Sequence, residues 1–273
     1  MKPGPHKRRR RSGDTATPLV FGLLAALCVV FLAVPLMGLL TQIPWDSVRS
    51  ELGNRDVASA LKLSLLTSLF ATVLAAVLGI PLAWVLARVQ FRGKSFVRSL
   101  AILPMVMPPV VAGLALLLAF GRNGLIGKGL TKIGLTIPFT TTAVVIAEAF
   151  VAMPFLILAV EAALRSSQTI QTEEAAASLG ASPSRRLLDI TLPMSKAALA
   201  AGLVLCWARA LGEFGATITF AGNLPAITRT MPIAVYVALE RRPQSAIVLG
   251  SILLVVSFLV LFVLRDRWFR AQA

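Results

Sequence analysis

Six stretches of this chain are apolar for about twenty residues each, the length a helix needs to cross a bilayer. They run approximately from Thr17 to Leu40, Val57 to Ala87, Ser99 to Phe120, Thr140 to Leu164, Ala197 to Ala221 and Ala246 to Leu264. A backbone in lipid must satisfy its own hydrogen bonds, so runs of this length are predicted to be helices. Only 14% of the residues are charged, against roughly a quarter in soluble domains, so lipid and not water is expected to cover most of the surface. The predicted fold class is an all-α integral membrane protein with six transmembrane helices, several of them kinked.

The first run follows a basic stretch, Lys7 to Arg11. A cleaved signal peptide has that start, but this run is longer than a signal core and no small-x-small cleavage site follows it. A retained helix is expected, leaving the membrane at Thr41–Trp45 with Trp45 at headgroup level. Lys62 opens the second run and can snorkel to the interface. With the N-terminus inside, seventeen of the 27 Lys and Arg fall in inner segments and eight in outer ones. That bias places both termini in the cytoplasm. The tail, residues 1–16, is expected to be disordered.

The net charge of +15 would suggest nucleic acid in a soluble protein, but here it sits in short segments between apolar runs. With one Tyr and few interleaved aromatics, base stacking has few candidates, so no nucleic-acid partner is expected. Cys28 and Cys206 lie in apolar runs far from His or acid clusters, which suits small buried residues and not zinc. His6 is in the tail, so no Ser-His-Asp set can form. The string from Arg122 to Gly129 resembles a phosphate loop only superficially. Arg122 stands where the first Gly should be and Gly129 where Ser or Thr should be. Neither catalytic residues nor a metal or other cofactor are expected in this chain.

Prolines punctuate the spans. Pro104, Pro108 and Pro109 are expected to break the third, Gly79 and Pro81 the second, and Pro154 the fourth. Such breaks suit either static kinks or helices that rock. Charges inside a span are costly. Arg209 and Glu213, four apart, can pair on one helix face, either to shield each other from lipid or to reorganise during gating. Glu148 is either a buried structural acid or a mark of the transport path.

The longest inner connection runs from Arg165 to Lys196. Thr172 is predicted to cap a short helix with Glu173 and Glu174 in its first turn. Ala175, Ala176 and Leu179 would form its apolar face, and Gly180 would end it in a left-handed conformation. Ser182 caps a second helix, with Pro183 at its first position. Leu187, Leu188, Ile190 and Leu192 supply its apolar face until Pro193 stops it. Two short helices hinged at a glycine should therefore lie on the cytoplasmic surface.

The string Glu174-Ala175-Ala176, three residues, Gly180, nine residues, Ile190, one residue, Leu192-Pro193 resembles the coupling-loop signature of bacterial ABC importer permeases. The resemblance implies that this loop docks on a separate ATP-hydrolysing subunit. Glu174 would make polar contact with it, Ala175 and Ala176 would permit close approach, and Gly180 would supply the turn. An ordinary amphipathic loop would need no fixed glycine or terminal Leu-Pro. A narrower resemblance runs from Arg209-Ala210-Leu211-Gly212-Glu213-Phe214-Gly215-Ala216-Thr217 through Thr228-Arg229-Thr230-Met231-Pro232 to Tyr236. It is similar to permeases for tetrahedral oxyanions, most of all the molybdate and tungstate branch, with the sulfate and thiosulfate branch close.

The resemblance spans about Val57 to Leu264 and implies a permease core at 57–264 with its coupling loop at 165–196. Residues 17–56 hold the first helix and an outer loop, and 265–273 an inner C-terminus. It further implies a homodimeric pore and two ATP-binding subunits on the cytoplasmic side, which hold the ATP and magnesium. An extracytoplasmic oxyanion-binding protein would deliver the cargo, and the site would be the bacterial cell membrane with lipid around it. Thr217 and Thr219 are candidates, with Arg209 and Glu213, for the path or gate. An ion-gradient transporter is the rival class. It would carry internal repeats and midplane ion ligands, which this sequence lacks.

Overall fold

A computed structural model describes residues 19–269, and of Ser167, Leu261 and residues 263–269 the backbone only. The basic tail and His6 lie outside the described residues. Among those described there are helices and turns and no strand. The first helix, α1 (Leu19–Thr41), belongs to one compact unit, and the chain from Ile43 onward forms the other. α1 is apolar around its whole circumference and carries Cys28 in an exposed position, contrary to the expectation of burial.

The second unit is built on α3 (Arg55–Arg88), α7 (Thr141–Leu164) and α10 (Leu192–Leu211). Two short helices precede or accompany them, α2 (Trp45–Leu52) and α6 (Gly127–Lys132). α3 starts at Arg55, capped by the Asn54 side chain, so Lys62 sits two turns in and not at the helix opening. The buried face of α3 is a line of small residues that includes Ala60, Ser64, Ala71, Ala75, Gly79 and Ala83. Small side chains let backbones approach where lipid offers no hydrophobic drive. A Cβ on Gly79 would stand 3.2 Å from Ile157 and Met153 of α7. One on Gly202 of α10 would stand 3.0 Å from Ala159 and Leu156. Leu86, Leu156, Ile157 and Val160 fill the spaces between these contacts.

Neither Gly79 and Pro81 nor Pro154 breaks its span. α3 and α7 are continuous through them, because one missing N–H in a long helix costs a bond that the surrounding turns tolerate. The third run does break. α4 (Lys94–Val106) and α5 (Pro109–Phe120) meet at 118°. Met107 and Pro108 each precede a proline and are both extended, with ψ of 138° and 132°. Pro109 then opens α5 at the position where an N–H is not needed. Pro104 stays inside α4.

The fifth run is also displaced. Its helix starts at Leu192 and ends at Leu211 with Gly212 as cap, and a separate short helix follows, α11 (Gly215–Phe220). The remaining elements are α8 (Ser167–Ser178), α9 (Pro183–Arg186), a π turn (Leu187–Thr191), α12 (Met231–Arg241) and α13 (Pro243–Phe269). Among the described residues five helical stretches are long and apolar enough to cross a membrane, and six if the bent α4–α5 pair counts as one. The end of the bundle that carries α8 and α9 is opposite the end where α13 begins. There Ser245 donates to Glu51 of α2 at 2.6 Å.

Candidate functional site

Two regions hold the residues that the sequence points to. The first is the loop after α7. Its helix α8 begins at Ser167, five residues before Thr172, because the Ser166 side chain accepts from the Thr169 N–H and caps it there. Thr172 lies mid-helix and donates to the Gln168 carbonyl. Gly180 has φ of 84°, the left-handed value that only glycine adopts without strain. Ser182 caps α9, with Pro183 first, as expected.

Pro193 does not stop the second helix. The π turn donates from Leu192 N–H to the Leu187 carbonyl, one residue wider than an α turn, and leaves Pro193 in the first turn of α10. A first-turn proline loses no helical bond. The loop thus runs without a break into the long span α10. The wider turn also splits the expected apolar face, leaving Leu188 and Leu192 exposed while Leu187 and Ile190 are half-buried.

Adjacent glutamates take opposite roles. Glu174, Ala175, Leu179 and Gly180 are exposed, and Ala176 is half-buried. Glu173 turns inward, its Oε1 2.7 Å from Arg88 Nη2 at the end of α3 and accepting from the Thr191 hydroxyl in the π turn. A second cluster holds the base of the loop. Glu161 of α7 is buried between Arg98 of α4 at 2.5 Å and Arg165 at 2.9 Å. Arg165 also donates to the Leu86 carbonyl at 2.8 Å. These clusters tie α3, α4, α7 and the loop together. Sequence reasoning assigned no role to Glu161 and placed Glu173 only as a dipole partner. The Glu161–Arg165 spacing of four was the available signal.

The second region is interior. Arg209 and Glu213 do pair, at 2.6 Å, but not on one helix face, since α10 ends two residues before Glu213. The other carboxylate oxygen of Glu213 accepts from the Ala216 N–H at 2.8 Å and so caps α11. Glu213 is 1% exposed and joins the end of one helix to the start of the next. α11 then crosses α5 at close range. A Cβ on Gly215 would stand 2.6 Å from Pro109, and one on Gly113 would stand 2.6 Å from Thr219.

Thr217 is fully buried with its hydroxyl unpartnered, and Thr219 donates to the Gly215 carbonyl. Glu148 of α7 is buried and accepts from Thr67 at 3.0 Å, while its second oxygen has no partner. Ser64 accepts from the Met231 N–H at 2.7 Å, and Thr141 donates to the Ile227 carbonyl at 2.9 Å. The segment between α11 and α12 is therefore pinned to α3 and α7. The structure joins Arg209, Glu213 and the Thr217–Thr219 helix in one place and puts Glu174 to Pro193 in another.

One surface loop is continuous with a span whose far end holds, through one carboxylate, a short helix packed against a bent pair.

A family model described as "Binding-protein-dependent transport system inner membrane component" matches residues 79–273. The molybdenum transport system permease protein ModB of Mycobacterium bovis is 43% identical over 232 residues, covering 85% of this chain and 88% of the relative. The sulfate transport system permease protein CysT of Escherichia coli is 34% identical over 243 residues, covering 88% and 87%. A bacterial ABC transporter involved in the import of the acidic polysaccharide alginate has a chain of the same fold, with a TM-score of 0.72 at 19% identity. That likeness covers 92% of this chain and 95% of that one.

Proposed function

The chain belongs to the binding-protein-dependent transport system inner membrane components, and from that membership we propose that it imports a tetrahedral oxyanion, molybdate or tungstate. Two copies form the pore. Two ATP-binding subunits dock on the cytoplasmic side, and a binding protein outside delivers the anion. Both termini and the 165–196 loop face the cytoplasm, in keeping with the Lys and Arg bias. The cargo assignment rests on 43% identity to a molybdenum permease, against 34% to a sulfate permease.

The observation that carries the coupling half is the loop itself. Glu174, Ala175 and Gly180 stand free for a partner while Glu173 and Glu161 hold the same loop to α3 and α4. A push on α8 from closing ATPases reaches the π turn through the Glu173–Thr191 hydrogen bond, and the π turn runs into α10 without a break. At the far end of α10 the Arg209–Glu213 link moves α11, and α11 moves the bent α4–α5 pair. The pore alternates between two packings, a population shift driven by nucleotide. Selectivity need not lie in the pore. A closed cavity in the delivering protein can sense a longer metal–oxygen bond, while the path needs only weak dipoles.

Uptake into vesicles carrying this permease, its ATPase and its binding protein tests the cargo. Labelled molybdate should enter and be competed by tungstate. Sulfate uptake unaffected by excess molybdate would move the assignment to the sulfate branch and leave the transporter class in place.

A further inference from the structure

At the loop end of the bundle two cavities of opposite character share a wall. One is an apolar groove of about 370 Å³ between Ile80 and Val85 of α3, Val160 and Leu164 of α7, and Leu192 and Leu199 of α10. The other is a polar pocket of about 310 Å³ formed by Arg88, Glu173, Pro183, Arg186 and Thr191. Trp84 and Leu187 line both. The charges in the polar pocket do not cancel. Arg88 is neutralised by Glu173, but Arg186 is in no ion pair among the described residues, and its Nε is buried without a hydrogen-bond partner. A buried guanidinium donor left unmade is costly.

We propose that this double cavity binds one anionic glycerophospholipid, its phosphodiester on Arg186 and an acyl chain in the groove. The guanidinium fork suits a phosphate oxygen, and the one uncompensated positive charge favours a headgroup with net negative charge over a zwitterion. A free phosphate would meet Arg186 and leave the groove empty, whereas the shared lining of Trp84 and Leu187 sets the two cavities side by side for a ligand with both parts. The depth agrees. Arg88 and Ile80 are eight residues apart, roughly 12 Å of helix, within one leaflet of a hydrocarbon core about 30 Å thick. Trp84 sits between the two parts, where tryptophan belongs at a membrane interface. The lipid touches α3, α9, the π turn and α10 together, so it stiffens the joint through which the loop drives α10. This needs only the family's membrane residence and does not depend on the cargo.

The test is lipid exchange on the full-length permease in complex with its ATPase. The complex is stripped in detergent and equilibrated with mixed phosphatidylglycerol and phosphatidylcholine of identical acyl chains. Retained lipid is then counted by native mass spectrometry. Phosphatidylglycerol should be retained preferentially, and Arg186→Gln should lower that preference about five-fold, as expected for losing one basic contact near the surface. Arg185→Gln, outside the pocket, should keep it. A benzophenone-bearing residue in place of Trp84 should crosslink to lipid. Retention without headgroup preference, or a preference unchanged in Arg186→Gln, overturns the proposal. So does a Trp84-position crosslink to a second permease or to the ATPase, which would give the groove to protein. If Arg186→Gln does not fold, the wild-type headgroup preference and the crosslink decide the question without it.

Discussion

The carboxylate of Glu173 lies 2.7 Å from the guanidinium of Arg88, eighty-five residues earlier, and the same oxygen takes the Thr191 hydroxyl. One residue on, Glu174 points away from the protein. The two glutamates therefore separate the inward and outward duties of one helix. Both partners in the Arg88–Glu173 pair are largely shielded, at 19% and 15% side-chain exposure, so the bond is worth more than a surface ion pair.

Glu173→Gln should destabilise the fold of the permease by about 2 kcal/mol, in the range for hydrogen bonds to charged groups. Thermal unfolding in detergent should show a clear drop, and proteases should cut between residues 165 and 192 more readily. Glu174→Gln should leave the unfolding temperature unchanged and lower ATPase recovery on co-purification. The reverse pattern would exchange the two roles.

Glu213 gives a graded series, because it both pairs and caps. Gln can still accept from the Ala216 N–H, and Met cannot. Arg209→Met with Glu213→Gln should fold better than Arg209→Met with Glu213→Met, by about 1 kcal/mol, the usual worth of a helix cap. The first double mutant removes the charges and keeps the cap. If it folds but does not transport, the ion pair works in gating, and full transport would reduce it to charge shielding.

Gly180 is held by conformation and not by space, since no atom lies within 4 Å of where a Cβ would sit. Gly180→Val should cost at least ~1 kcal/mol of local backbone energy and misplace α8 against α9. Insertion into the membrane should be normal and uptake reduced. Gly180→Asn, which tolerates a left-handed turn, should retain more uptake than the valine variant. Equal uptake in all three would show that the turn geometry is irrelevant.

Gly113 is the opposite case. A methyl there meets Thr219 at 2.6 Å and the Ala216 carbonyl at 2.7 Å, so Gly113→Ala should cost about 1–3 kcal/mol by overpacking. Gly129→Ala, in open space within α6, is the control and should be neutral to slightly stabilising, since alanine is the better helix former. Thermal unfolding of both variants separates them, and transport should fail in the first even when protein is recovered.

Much of this architecture was legible in the sequence because the bilayer fixes helix length and the loop uses strong local signals. Gly180, Ser182 and Pro183 act as read, since each has few conformations open to it. Pro81, Pro154 and Pro193 did not act as read. A single proline ends a helix only when nothing else holds the turns around it, and a π turn hides one at a helix start. Two successive prolines at 108 and 109 did break the chain, because each forces its predecessor out of the helical region. The Glu173 and Glu161 clusters join residues up to 85 apart, and no periodicity reports such a pairing.

On the proposed function, this chain turns nucleotide chemistry in a partner into movement of α10 and α11. The direct measurement is ATPase activity of the assembled complex in lipid nanodiscs, with and without anion-loaded binding protein. Loaded binding protein should stimulate hydrolysis several-fold in wild type. In Glu173→Gln that stimulation should vanish while the ATPase remains bound. Equal stimulation in both, with the complex intact, would contradict the account of the loop as the transmitting part.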